Sequence, residues 1–158
     1  MPDPAPKTLA ELIHEDNIII NPASEERQSV IKALVQNMVA TGLVVKTQAS
    51  TVSRLINERE ALGSTALGGG VAIPHARIGF AKRPLLAFAR LRNGQGFNSL
   101  DGASVHFVFL ALTPKDDDDA HRAVLQAITS FVRQAVHRKA LSGCLTPADV
   151  KSVFIDYA

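Results

Sequence analysis

A single cysteine, Cys144, stands in a chain of 158 residues. It excludes an intrachain disulfide, and alone it cannot supply the paired thiolates of a CxxC metal site. An excess of one charge is also missing: 17 Lys and Arg against 15 Asp and Glu leave a net charge of +2, with both signs mixed along the chain. Such a balance gives no broad basic footprint and argues against a reader of nucleic-acid backbones. No apolar run approaches the ~20 residues of a membrane span. The opening segment, Met1-Pro2-Asp3-Pro4-Ala5-Pro6-Lys7, has no apolar stretch of the signal-peptide kind and reads as a disordered tail over residues 1–7. Together these absences point to a reducing, cytoplasmic setting.

What is present is ordinary for a soluble globular domain: 46% hydrophobic and 20% charged residues. The length suits one domain with one sizeable core, here residues 8–158. Leu9–Ile13 reads as a short helix and Asn17–Ile20 as a short strand. A longer helix follows, with Ser24 as N-cap, Glu25 and Glu26 in its first turn, an apolar stripe from Val30 to Val39, and Gly42 at its end. A second helix is expected over Thr51–Leu62, capped by Ser50 and closed by Gly63. Val71–Ile73 and Leu85–Leu91 read as strands. Val105–Leu112 is almost continuously apolar, the mark of a central strand covered on both faces. Asn98–Gly102 supplies a turn. A third long helix is expected from Asp119 to about Ala140, with Asp116–Asp119 as a solvated charge cluster at its positive end. Thr146 or Asp149 opens a last helix ending near Tyr157. Helices interleaved with strands predict an α/β fold: a single domain with a mixed β-sheet flanked by helices on both faces.

The stretch from Leu62 to Arg77 carries the strongest chemical signal. His75 follows Pro74, whose φ is fixed and which pushes Ile73 toward extended geometry. Gly68, Gly69 and Gly70 precede it and let a bulky anion approach the main chain. A rigidly held imidazole beside backbone amides suits covalent phosphoryl transfer; an exposed histidine at a strand-to-loop junction is the plainer alternative. Arg59 falls on the apolar stripe of its helix with Val52, Leu55, Ile56 and Leu62. A charge placed there needs a partner, either a ligand in a site or, more plainly, a local glutamate or the solvent. His121 begins the apolar stripe of the third long helix, where a histidine is most often a hydrogen-bonded core residue. Brought together, His75 would be the nucleophile, Arg59 a cation for phosphoryl oxygens and His121 a donor or orienter. Ser64, Thr65 and the amides of Gly68, Gly69 and Gly70 would add neutral phosphoryl-binding donors.

These residues resemble a known family. Arg59-Glu60, Leu62-Gly63-Ser64-Thr65, Gly68-x-Gly70 and Ala72-Ile73-Pro74-His75 look like the signature of enzyme IIA domains of the fructose/mannitol type in the bacterial phosphotransferase system (PTS). The likeness is greatest to the stand-alone nitrogen-regulatory enzyme IIA proteins. It runs from about Ile18 to the C-terminus. The resemblance implies that His75 is phosphorylated, that Arg59 lines the site, and that His121, four residues before Leu125, is the second active-site histidine. It implies a phosphohistidine donor similar to HPr, no metal and no other cofactor, and regulatory targets such as kinases or transporters. The chain departs from the family pattern at Arg122, at His106 and at Gly69, where some sugar-type members carry an acid and nitrogen-type members often carry Asn. Gly69 therefore favours a nitrogen-type regulator over a sugar-specific enzyme IIA serving a permease. A regulatory binding module with little phosphotransfer of its own is the other alternative. A metal site from His75, His106 and His121 lacks the helix spacing of a ligand pair. The glycine loop lacks the Lys-Ser/Thr of a P-loop.

Overall fold

The computed structural model describes residues 7–95 and 104–158. The expected turn at Asn98–Gly102 and all of the expected tail except Lys7 lie outside the described residues. In chain order the helices are α1 (Leu9–Leu12), α2 (Arg27–Ala40), α3 (Ala49–Ala61), α4 (Asp118–Val132), α5 (Ala135–Ser142) and α6 (Pro147–Asp156). The strands are β1 (Ile18–Ile20), β2 (Ala66–Gly68), β3 (Val71–Ala72), β4 (His75–Ile78), β5 (Leu85–Gln95) and β6 (Val105–Pro114). They form one mixed sheet in the order β1-β5-β6-β3-β2, with β4 also paired to β6. The long β5–β6 pair is antiparallel. β1 runs parallel to β5, and both β3 and β4 run parallel to β6.

Two apolar layers sandwich this sheet, as the unbroken run in β6 predicts. Strand alternation sends Val108, Leu110 and Leu112 to one face, where they meet Ile31, Leu34 and Met38 of α2 and Val52 and Ile56 of α3. Phe107, Phe109 and Ala111 go to the other, against α4, α5 and α6. There Phe154 of α6 packs edge-on to Phe88, with ring centroids 5.6 Å apart, and to Phe131 at 5.4 Å. Phe154 is fully buried, so Phe154→Ala should cost about 3–5 kcal/mol, the usual price of an emptied aromatic site. Urea unfolding measures it; a loss below about 1 kcal/mol would contradict this packing.

Several boundaries differ from expectation. The third long helix is two helices, α4 and α5, broken at Arg133–Gln134. His137 donates from Nδ1 to the Phe131 carbonyl (2.7 Å), and Arg138 donates to the carbonyls of Val132 (2.5 Å) and Arg133 (3.2 Å). Side chains of the second helix thus satisfy the orphan carbonyls of the first. Helix α2 starts later than expected, after Glu26 rather than Ser24, because Glu25 is engaged elsewhere. Its carboxylate accepts the amides of Arg92 (2.8 Å), Asn93 and Gly94 (both 3.0 Å). Helix α3 runs on from a 3-10 turn at Lys46–Gln48, so Ser50 lies inside it and not at its cap. The last helix opens at Thr146, whose side chain and that of Asp149 form a capping box.

Candidate functional site

The site begins where β3 stops. Pro74 has no N–H to continue a ladder, so the strand expected over Val71–Ile73 ends at Ala72, and the chain resumes pairing at His75, opposite Ala111. The step is held at both ends: Ile73 donates to the Thr65 carbonyl (3.1 Å), and Ala111 donates to the Pro74 carbonyl (3.0 Å). His75 Nδ1 lies 2.7 Å from the Ile73 carbonyl. A carbonyl only accepts, so Nδ1 carries the proton and Nε2 keeps a free lone pair. Burial lowers the His75 pKa; the Ile73 bond opposes this, the Arg59 charge lowers it further, and Glu60 raises it. The net direction is down, which favours the neutral ring with its lone pair on Nε2.

His121, in the first turns of α4, packs beside it with ring centroids 5.6 Å apart and planes tilted by 52°. Its Nδ1 is 2.7 Å from the hydroxyl of the fully buried Thr113, which leaves Nε2 as the ring's remaining polar atom. Burial lowers the His121 pKa; the charges of His75 and Arg77 add to this, and Asp118 opposes it. The aspartate run therefore does not keep this ring charged. Asp117 caps α4 through the Ala120 amide (2.9 Å), Asp118 pairs with Arg77, and Asp119 pairs with Arg122.

Arg59 does face the site. Its guanidinium donates to the Gly63 carbonyl (2.8 Å) at the end of α3, rather than to a neighbouring glutamate. With Leu55, Glu58, Leu62, His75, Ala76, Arg77 and His121 it lines a cleft of about 560 Å³. Sequence reasoning brought His75, Arg59 and His121 together and missed Arg77. The available signal was its spacing: two residues after His75 on a strand, it faces the same way. Arg77 is held by the Lys115 carbonyl (2.9 Å) and by Asp118, whose carboxyl it keeps below the usual range.

The five residues expected to add phosphoryl donors do not line this cleft. Gly68, Gly69 and Gly70 adopt φ of +93°, +65° and +83° and turn the chain from β2 into β3. The Gly70 carbonyl accepts from His106 (2.8 Å) and Phe107 (3.0 Å), at the start of β6. His75 pairs further along the same strand, and the rise of extended chain puts roughly 16 Å between Gly70 and His75. The hydroxyl of Ser64 accepts from the Ala66 amide (3.1 Å), shaping the local turn. Thr65 is buried and donates to Glu60. The glycines serve the turn geometry, which the sequence alone does not distinguish from anion binding.

Residues 11–157 match the family model for the phosphoenolpyruvate-dependent sugar phosphotransferase system, EIIA 2. The chain belongs to that family. This EIIA 2 chain is 28% identical over 148 residues to a nitrogen regulatory protein of Pseudomonas aeruginosa, covering 94% of this chain and 95% of that protein. It is 31% identical over 133 residues to the fructose-specific EIIABC component of Bacillus subtilis, covering 84% of this chain. It spans only about a fifth of that larger protein, 21%, and 22% of the 2-O-alpha-mannosyl-D-glycerate-specific EIIABC component of Escherichia coli. Among solved structures, the nitrogen regulatory protein IIA-Ntr of Neisseria meningitidis superposes with a TM-score of 0.83 at 26% identity. That match covers 92% of this chain and 98% of the other. IIA mannitol of Escherichia coli shares the fold, with a TM-score of 0.73 at 18% identity, over 89% of this chain and 97% of that one. No helix among the described residues is long and apolar enough to cross a membrane.

The two lowered histidine pKa values make a pH prediction for this EIIA 2 chain. Each ring is favoured neutral in the fold and binds its proton more readily when unfolded. Their contribution to stability is thus complete above the ordinary value of 6.5 and is lost as pH falls through it toward the lower folded-state midpoints. Thermal unfolding from pH 7.5 to 5 should show falling stability. The double variant His75→Gln/His121→Gln should flatten that slope, and an unchanged slope would contradict the assigned burial effects.

Proposed function

We propose that this chain is a phosphocarrier that accepts a phosphoryl group on His75 Nε2 from a phosphohistidine protein similar to HPr. The observation that carries the reading is the fixed tautomer. Nδ1 is committed to the Ile73 carbonyl, and Nε2 is the nucleophilic atom of a ring set in a cleft with two guanidinium groups and a second imidazole. Nε2 attacks phosphorus as the donor's N–P bond breaks, and the released donor nitrogen regains its lone pair. No proton moves, so the step needs no general base. Catalysis then rests on position and charge. Arg59 and Arg77 offset the charge of the phosphoryl oxygens, and a neutral His121 donates to them from Nε2 while Thr113 donates to its Nδ1.

The chain acts mainly as a nitrogen-type regulator, with protein targets such as kinases or transporters, in the cytoplasm. Near full-length likeness to nitrogen regulatory proteins supports this, as does Gly69 in place of an acid. The 31% identity to a fructose-specific component favours a second reading, a sugar-specific enzyme IIA passing phosphate onward to a permease component. The test is incubation with phosphoenolpyruvate and the upstream carriers, read by intact mass. The expected result is a gain of one phosphoryl group, lost on acid treatment. No gain would contradict phosphocarrier function, and efficient onward transfer to a sugar permease component would favour the second reading.

A further inference from the structure

Glu60 is the most deeply buried carboxylate near the site: its side chain is 2% exposed. One residue after Arg59 on α3, it is turned by about 100° from the cleft and points into the protein. An ionised carboxylate in such a place needs compensation, and what it has is incomplete. Thr65 donates its hydroxyl to Oε1. Oε2 makes no hydrogen bond, and its nearest cation, Arg27, is 3.8 Å away. A fold seeking only stability would fill this place with an apolar or amide side chain.

The connections of Glu60 lead to the nucleophile. Glu60 holds the Thr65 hydroxyl. The Thr65 carbonyl accepts from the Ile73 amide (3.1 Å), and the Ile73 carbonyl accepts from His75 Nδ1 (2.7 Å). Ile73 has little freedom of its own, since Pro74 restricts it. The peptide that sets the His75 tautomer is therefore anchored through Thr65 to the Glu60 carboxylate.

We propose that Glu60 is a positioning residue for phosphoryl transfer, holding the Ile73 carbonyl against His75 Nδ1 through Thr65 and stabilising positive charge on the His75 ring. The inference rests on the phosphocarrier reading. When Nε2 bonds to phosphorus and Nδ1 keeps its proton, the ring becomes imidazolium-like. The charged groups around it are Arg59 and Glu58 from α3, Arg77 from β4, paired to Asp118, and His121 from α4. Glu58 is itself paired with Arg54. The Arg59 guanidinium disfavours a cationic ring. Glu60 is the negative charge that raises the His75 pKa against burial and Arg59, and the same field favours the phosphorylated ring.

The test separates charge from anchoring. Glu60→Gln keeps an acceptor for Thr65 and removes the charge. Thr65→Val keeps the charge and removes the anchor, and Thr65→Ser restores the hydroxyl. Two readouts are taken on folded protein: the His75 titration and tautomer by nitrogen-15 NMR, without any donor, and the rate of phosphorylation by the upstream carriers. Glu60→Gln should lower the His75 midpoint and slow phosphorylation roughly tenfold, with a melting temperature equal to or above wild type. Thr65→Val should loosen the Nδ1–H tautomer, and Thr65→Ser should restore it. An unchanged His75 midpoint and rate in Glu60→Gln, or an unchanged tautomer in Thr65→Val, would reduce Glu60 to a structural role. If wild-type protein takes no phosphate, the phosphocarrier reading fails by itself, and the titration and tautomer still decide whether Glu60 acts on His75.

Discussion

Replacing His75 with alanine should remove acid-labile phosphorylation and leave the fold in place. Among the described residues the His75 ring makes one side-chain hydrogen bond, to the Ile73 carbonyl, worth about 1 kcal/mol, and the half-buried ring lines the cleft. With only that small loss, the melting temperature should move by a few degrees. The chemistry has no substitute within reach. His121 lies in the same cleft, yet in the proposed network Thr113 donates to its Nδ1, so its Nε2 carries the proton and has no free lone pair to attack with. Labelling of His75→Ala by the upstream carriers, measured by intact mass, should fall to background; labelling at the wild-type rate would remove His75 from the reaction.

His121→Ala gives the second-largest effect and a different signature. Transfer should slow by roughly 10²–10⁴-fold, the range for one positioned donor or orienting group, without stopping. Stability should fall too, because the fully buried Thr113 hydroxyl loses its partner. A buried orphan of that kind costs about 1–3 kcal/mol. His121→Gln retains an amide that can both donate and accept, so it should recover part of the rate and part of the stability. Stopped-flow or quench-flow phosphorylation beside urea unfolding reads both quantities. A variant with full rate and lost stability would make His121 a core residue only.

Much of this molecule is written locally. The β6 run is apolar at nearly every position because both sheet faces are covered, and that pattern needs no knowledge of partners. Arg59 betrays its cleft by standing on an apolar stripe, and Pro74 fixes the step that presents His75. The misread features depend on contacts distant in sequence or on side-chain capping. The break between α4 and α5 has neither Gly nor Pro; it is made by His137 and Arg138 reaching back to carbonyls. The start of α2 depends on Glu25 binding amides of β5, 69 residues away for Gly94. Thr65 looks like a ligand donor until Glu60 is seen beneath it. The glycine triplet has the composition of an anion loop, and only the sheet register shows that it lies at the far end of β3 from His75. Arg77 was readable from strand alternation, but β4 is too short to announce itself as a strand.

The central claim is that His75 attacks through Nε2 while Nδ1 keeps its proton on the Ile73 carbonyl. Nitrogen-15 and phosphorus-31 NMR of the phosphorylated, histidine-labelled protein tests it most directly. The expected spectrum shows phosphorus coupled to Nε2 of His75, with a protonated Nδ1 whose signal is protected from solvent exchange. Phosphorus coupled to Nδ1 of His75, or to either nitrogen of His121, would contradict it.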